Sequence, residues 1–78
     1  MPKFFYHITD GDRTFSDANG VELKNIEEAR RHLVSYIYEL KSFLYEKKIY
    51  EWADWAVVLK NNKDETIEIT PFNLVPRI

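Results

Sequence analysis

Among the side chains of this 78-residue sequence, one histidine and a run of carboxylates are the best suited to chemistry. His7 is followed closely by Asp10 and Asp12, and Asp17, Asn19 and Glu22 come after them. Clustered oxygen donors of this kind can bind a hard divalent cation, and an imidazole beside a carboxylate can form an acid–base pair. The spacing fails a calcium-hand loop, because the glycine and the closing glutamate fall at the wrong offsets. Asp10-Gly11-Asp12 reads more simply as a turn: aspartate bonds the backbone that follows it, and glycine accepts positive φ at no steric cost. A histidine on a partly covered sheet face is ordinarily a structural hydrogen bonder, and His32 falls on the flank of a helix as a surface residue. Cysteine is absent, and Ser16, Ser35 and Ser42 have no placed base. Gly11 and Gly20, the only glycines, make no phosphate-cradling loop. Catalysis, a metal and a cofactor are therefore not expected. A metal- or ligand-dependent enzyme or binding protein using His7 and the Asp10/Asp12 turn is the alternative.

Length and composition narrow the architecture that can position these groups. With 45% hydrophobic residues, the sequence supports a single small domain over residues 1–78. Chains of this size often need a disulfide, a metal or a partner subunit to be stable, and without cysteine the first is excluded. The N-terminal run lacks the charged-then-apolar pattern of a signal peptide, and no apolar run approaches the length of a membrane span, so a cytoplasmic protein is expected. A net charge of -2 gives no global attraction to nucleic acid. Phe5 with Arg13 and Lys60 suggests base stacking, but Glu68 is read on the same face and argues against it.

One segment, Asn25 to Lys48, is long and periodic enough to be a multi-turn helix. Asn25 is a favourable N-cap with Glu28 in the capping-box position, and Glu27 and Glu28 meet the positive end of the helix dipole. Ile26, Ala29, Leu33, Ile37, Leu40 and Leu44 form the buried stripe, widened by Tyr36 and Phe43. Everything else reads as short strands. Lys3 to Thr9 places Phe4, Tyr6 and Ile8 on one face and Phe5, His7 and Thr9 on the other. Arg13 to Ser16 follows with Phe15 as its apolar anchor, and Val21 and Leu23 either extend that strand or tuck under the helix. Trp55 to Lys60 is apolar on both faces, whereas Thr66 to Thr70 alternates, with Ile67 and Ile69 inward and Thr66, Glu68 and Thr70 outward. The tail from Phe72 is too apolar in Phe72, Leu74, Val75 and Ile78 to be solvated.

The expected fold is α+β, ordered β-β-α-β-β: a four-stranded antiparallel sheet with the helix packed on one face. Strands apolar on both faces belong in the middle, which gives the order 2-1-3-4, with 2-1-4-3 as the alternative.

The opening MPKFFYHITDGD, Gly20-Val21-Glu22-Leu23, the helix start Asn25-Ile26-Glu27-Glu28-Ala29-Arg30, the strand led by Trp55 and the closing Thr70-Pro71-Phe72 carry a resemblance. Together they resemble a family of small bacterial proteins known only as a domain of unknown function, over nearly the whole chain. The resemblance implies no activity, cofactor or site residue.

Two surfaces remain as candidates for a partner. Val34, Tyr38 and Tyr45 lie off the buried stripe with Lys41 between them, and Tyr50 and Trp52 follow in the connector; exposed Tyr and Trp flanked by basic residues match the composition of interfaces. Cover by the chain's own tail is the competing explanation. The second is the open sheet face with Phe5, Ala56 and Val58. The expectation is a non-enzymatic protein–protein interaction module that forms a homodimer or binds another protein.

Overall fold

The computed structural model describes residues 2–49, 51–52 and 54–74. Aromatic and β-branched residues dominate β1 (Lys3–Thr9), which forms the centre of the sheet. On one side it pairs antiparallel with β4 (Ala56–Asn61) along its length, from Phe4 opposite Asn61 to Thr9 opposite Ala56. On the other side two short strands share its edge. β2 (Thr14–Phe15) pairs with Ile8 and Thr9, and β3 (Val21–Glu22) with Lys3 and Phe4. β5 (Thr66–Pro71) lies outside β4, so the order is β2-β1-β4-β5 with β3 beside β1. The expected helix-on-antiparallel-sheet fold is present, and the strand order differs in one detail. Val21 and Glu22 do not prolong the second strand; they form a fifth.

The helix α1 (Ile26–Glu46) covers one face of this sheet. Asn25 caps it as its residue type predicts, accepting the Glu28 N–H at 2.9 Å, while the Glu28 carboxylate reaches back to the N–H of Lys24 at 3.1 Å. The helix stops at Glu46 rather than Lys48, because Lys48 turns into the left-handed region at φ 59. There the Ile49 N–H returns to the Leu44 carbonyl at 2.8 Å. Its buried face is Ala29, Leu33, Ile37, Lys41 and Leu44, packed on Phe4, Tyr6, Val57 and Leu59. Ile26 and Phe43 do not join it and are 45% and 54% exposed. Ile26 overhangs an open cleft of about 650 Å³ beside Pro2, Phe4 and Ile67, and the Lys47 ammonium lies over the Phe43 ring, 5.7 Å from its centroid. Phe15, expected to anchor its strand, is also 54% exposed, since a two-residue strand extends too little of the sheet to cover it.

The alternation read for the last strand is overturned by a β-bulge. Leu59 lies opposite Glu68 and Lys60 opposite Thr66, which leaves Ile67 as the extra residue. Ile67 still packs on the core, but the residues after it change sides. Glu68 and Thr70 turn toward the helix, where Glu68 meets Arg30 at 3.3 Å, and Ile69 emerges on the open face opposite Val58.

After Pro71 a 3-10 turn (Phe72–Leu74) brings Phe72 into the core with no exposure. Its ring lies against Trp52 and Trp55, with centroids 6.3 and 5.8 Å away. Leu74 is 71% exposed, contrary to the expectation of a packed tail, and Val75 and Ile78 lie outside the described residues. Among the described residues no helix is long and apolar enough to cross a membrane.

Candidate functional site

The gap that β2 and β3 leave on the β1 edge exposes a strand N–H that needs an acceptor. Asp17 supplies it: Oδ2 accepts the Tyr6 N–H at 3.2 Å, and Oδ1 accepts the N–H groups of Asn19 and Gly20 at 3.2 and 3.0 Å. The Asp17 N–H in turn donates to Nδ1 of His7 at 2.9 Å, which puts the ring proton of neutral His7 on Nε2. Burial alone would raise the Asp17 carboxyl. The N–H groups of Gly20, Tyr6 and Asn19 outweigh it and hold the group below the ordinary carboxylate range. On the helix side of the same strand the Tyr6 hydroxyl donates to the Ala29 carbonyl at 2.7 Å, and His32 and Tyr36 pack on its ring. His32 is thus half-buried rather than a plain surface residue. Burial pushes the Tyr6 phenol up to about 12, with the Asp17 charge adding to it, and raises Tyr36 in the same way.

The residues singled out for acid–base or metal chemistry make local hydrogen bonds in the structure. Asp10 Oδ1 accepts the Asp12 N–H at 2.9 Å and the Arg13 N–H at 2.7 Å, closing the predicted turn, and these bonds draw its pKa down. Asp12 is exposed. His7 bonds to the backbone of Asp17. Asp10 and Asp12 do share a shallow cleft of about 300 Å³ with Glu51, Asp54 and Trp55. Among the described residues, no three His, Cys, Asp or Glu side chains are arranged to hold a metal ion.

The tyrosine flank divides. Val34 and Tyr45 are 52% and 49% exposed, while Tyr38 and Trp52 are half-buried and pack against the core. Lys41, read as a basic residue between the tyrosines, is instead 4% exposed: its ammonium donates to the Phe72 carbonyl at 2.9 Å and lies 4.6 Å from the Trp52 ring centroid. The Trp52 indole N–H is buried and meets no acceptor among the described residues. Tyr50 lies outside them. The burial of Lys41 had a sequence signal, since Ala29, Leu33, Ile37 and Lys41 recur every four residues along one ridge.

On the open sheet face the structure keeps Phe5, Ala56 and Val58 together and adds Ile69 and Pro71, opposite Val58 and Ala56. Phe5, Ala56, Val58 and Pro71 are half-buried by their neighbours, and Ile69 is 60% exposed. Phe5 and His7 lie with their ring planes within 4° and their centroids 6.2 Å apart. A polar groove of about 450 Å³ runs beside them, with hydroxyls from Thr9, Thr14, Ser16 and Thr66. Lys60, which also lines it, is paired with Asp64 at 3.1 Å.

Residues 3–73 of this β-β-β-α-β-β chain match the profile of a domain of unknown function, DUF6894. The chain belongs to the DUF6894 family. No curated protein and no solved structure matches it. In this DUF6894 domain the open face of the sheet gathers Phe5, Ala56, Val58, Ile69 and Pro71.

Proposed function

We propose that this DUF6894 chain is a small, non-catalytic, cytoplasmic interaction module that self-associates face to face through the uncovered side of its sheet. The observation that carries the reading is Ile69. A bulge gives up regular pairing and turns a β-branched apolar residue away from the core, leaving it 60% exposed beside Val58. Burying such a side chain is worth about 1.5–3 kcal/mol, and a second copy doubles the gain through symmetry.

Charge and edge structure favour a second copy packed face on face. On this face Lys60 is paired to Asp64 and Lys3 lies opposite Glu22, so its charges offset one another and two copies can meet without a single-signed repulsion. Edge-to-edge pairing is disfavoured on both sides of the sheet. β5 carries the bulge, Glu68 and Pro71, while the opposite edge consists of two-residue strands. A 78-residue chain without cysteine also lacks the disulfides by which small domains gain stability, and the cysteine-free composition fits a reducing compartment.

Sedimentation velocity across a concentration series tests this. Wild type should pass from monomer to dimer, and Ile69→Lys should shift the midpoint at least tenfold upward, a change of about 1.4 kcal/mol. A Val34→Lys/Tyr45→Lys double variant should leave the midpoint unchanged. A wild type that stays monomeric at millimolar concentration overturns self-association, and dissociation by the Val34/Tyr45 pair alone overturns the choice of face.

A further inference from the structure

Asn19 is followed by Gly20, the only Asn-Gly step in the sequence. Asn25, Asn61, Asn62 and Asn73 are followed by Ile, Asn, Lys and Leu, whose side chains hinder attack on the asparagine amide. Asn19 itself is exposed, and Gly20 presents no side chain to obstruct the approach. We propose that Asn19 is a deamidation site and that the Asp17 carboxylate sets its rate.

The reaction is a ring closure followed by hydrolysis. The Gly20 backbone nitrogen loses its proton and attacks Cγ of Asn19; the new N–Cγ bond forms as the Cγ–Nδ2 bond breaks, and ammonia leaves. Water then opens the resulting succinimide at either carbonyl and gives aspartate or isoaspartate at position 19. The net change is one water consumed and one ammonia released, with no oxidant or cofactor.

The folded chain opposes the first step in two ways. The Gly20 N–H donates to Asp17 Oδ1 at 3.0 Å, so the proton that must leave is held by a negative charge. The Asn19 N–H donates to the same oxygen at 3.2 Å, so both ends of the residue are tied to one acceptor and the nitrogen cannot swing toward Cγ. Gly20 is also held from above. A Cβ built there would lie 2.8 Å from the Phe5 ring, which shows how closely that ring covers the turn. Attack thus requires local opening of the segment between β2 and β3, and product formation makes the opening permanent. Isoaspartate adds a backbone methylene two residues before the strand that pairs Val21 with Phe4.

Peptide mass spectrometry of wild type incubated in mildly alkaline buffer, folded and in strong denaturant, provides the test. Replacing an amide with an acid changes the mass, which separates this reaction from isomerisation of Asp10-Gly11. Asn19 should convert at least about tenfold more slowly in the folded chain, as expected for an amide that reacts only after local opening. Asp17→Ala, its fold verified by circular dichroism, should lose most of that protection, while the other four asparagines stay unchanged. Equal Asn19 rates in folded and denatured wild type, or a folded Asp17→Ala variant no faster than wild type, would overturn the proposal. If Asp17→Ala does not fold, hydrogen exchange of the wild-type Gly20 amide decides: a protected amide supports the clamp, and an unprotected one overturns it.

Discussion

The ammonium of Lys41 lies 2.9 Å from the carbonyl oxygen of Phe72, a residue 31 positions further along the chain. This bond, with Phe72 buried between two tryptophans, fastens the end of the sheet to the last third of the helix. Lys41→Met keeps most of the stem packing and removes a buried charge along with the bond, so the two changes offset and the cost should be about 1 kcal/mol. Lys41→Ala also opens a cavity and should cost about 3 kcal/mol. For a domain of this size each kcal/mol lowers Tm by about 4–8 °C, which thermal unfolding resolves.

Tyr6 should make the fold sensitive to alkali. Its phenol is raised to about 12 from an ordinary value of 10.0, so the folded chain holds the proton more tightly than the unfolded one. Stability from this source is complete below pH 10.0 and is lost as the pH rises toward about 12, by up to roughly 3 kcal/mol. Tyr36 adds a loss of the same sign. Tyr6→Phe should cost about 1 kcal/mol at neutral pH through the lost bond to Ala29, yet flatten the alkaline decline. Denaturant midpoints measured across the alkaline range check both effects.

Asp17 acts at the other end of the scale. Its carboxyl titrates lower in the folded chain than the ordinary 3.8, so its stabilisation is present above that value and decays as the pH falls below it. Asp17→Ala leaves the Tyr6, Asn19 and Gly20 N–H groups without their acceptor and should cost about 1.5–3 kcal/mol at neutral pH. Acid titration of stability should show a smaller decline in the variant than in wild type.

The two glycines should respond differently to alanine. Both have positive φ, 100 at Gly11 and 68 at Gly20, so each substitution carries backbone strain of about 1 kcal/mol. At Gly11 nothing lies within 4 Å of the added Cβ. At Gly20 it would meet Phe5 at 2.8 Å, Lys3 at 2.9 Å and the Phe4 carbonyl oxygen at 3.0 Å, so Gly20→Ala should be the more damaging by at least about 1 kcal/mol. Chemical denaturation of the pair measures the difference.

Local signals carried most of the fold. Asn25 and Glu28 announced the helix start, and the two-faced apolarity of the strands around Phe5 and Val58 announced the centre of the sheet. The same alternation put Phe5, Ala56 and Val58 on the open face. What escaped depends on contacts distant in sequence. A single extra residue at Ile67 inverts every side chain after it, and nothing in the pattern TIEIT marks the insertion. The four-residue spacing of Ala29, Leu33, Ile37 and Lys41 places Lys41 on the buried ridge, but the acceptor that its ammonium finds there, the Phe72 carbonyl, comes from 31 residues further on, and Phe72 also packs on Trp52. Asp17 looks like one more turn aspartate because the N–H it satisfies belongs to a strand eleven residues earlier.

The central seam of the sheet joins residues 4–9 to residues 56–61. A ribosome making this chain therefore releases the N-terminal strands and the whole helix before the strand that completes the core exists. Until then Phe4 and Tyr6 have no sheet partner at β4, and the helix has only half a floor. A chain shortened to end before Ala56 should therefore lack the cooperative unfolding transition that the whole domain shows.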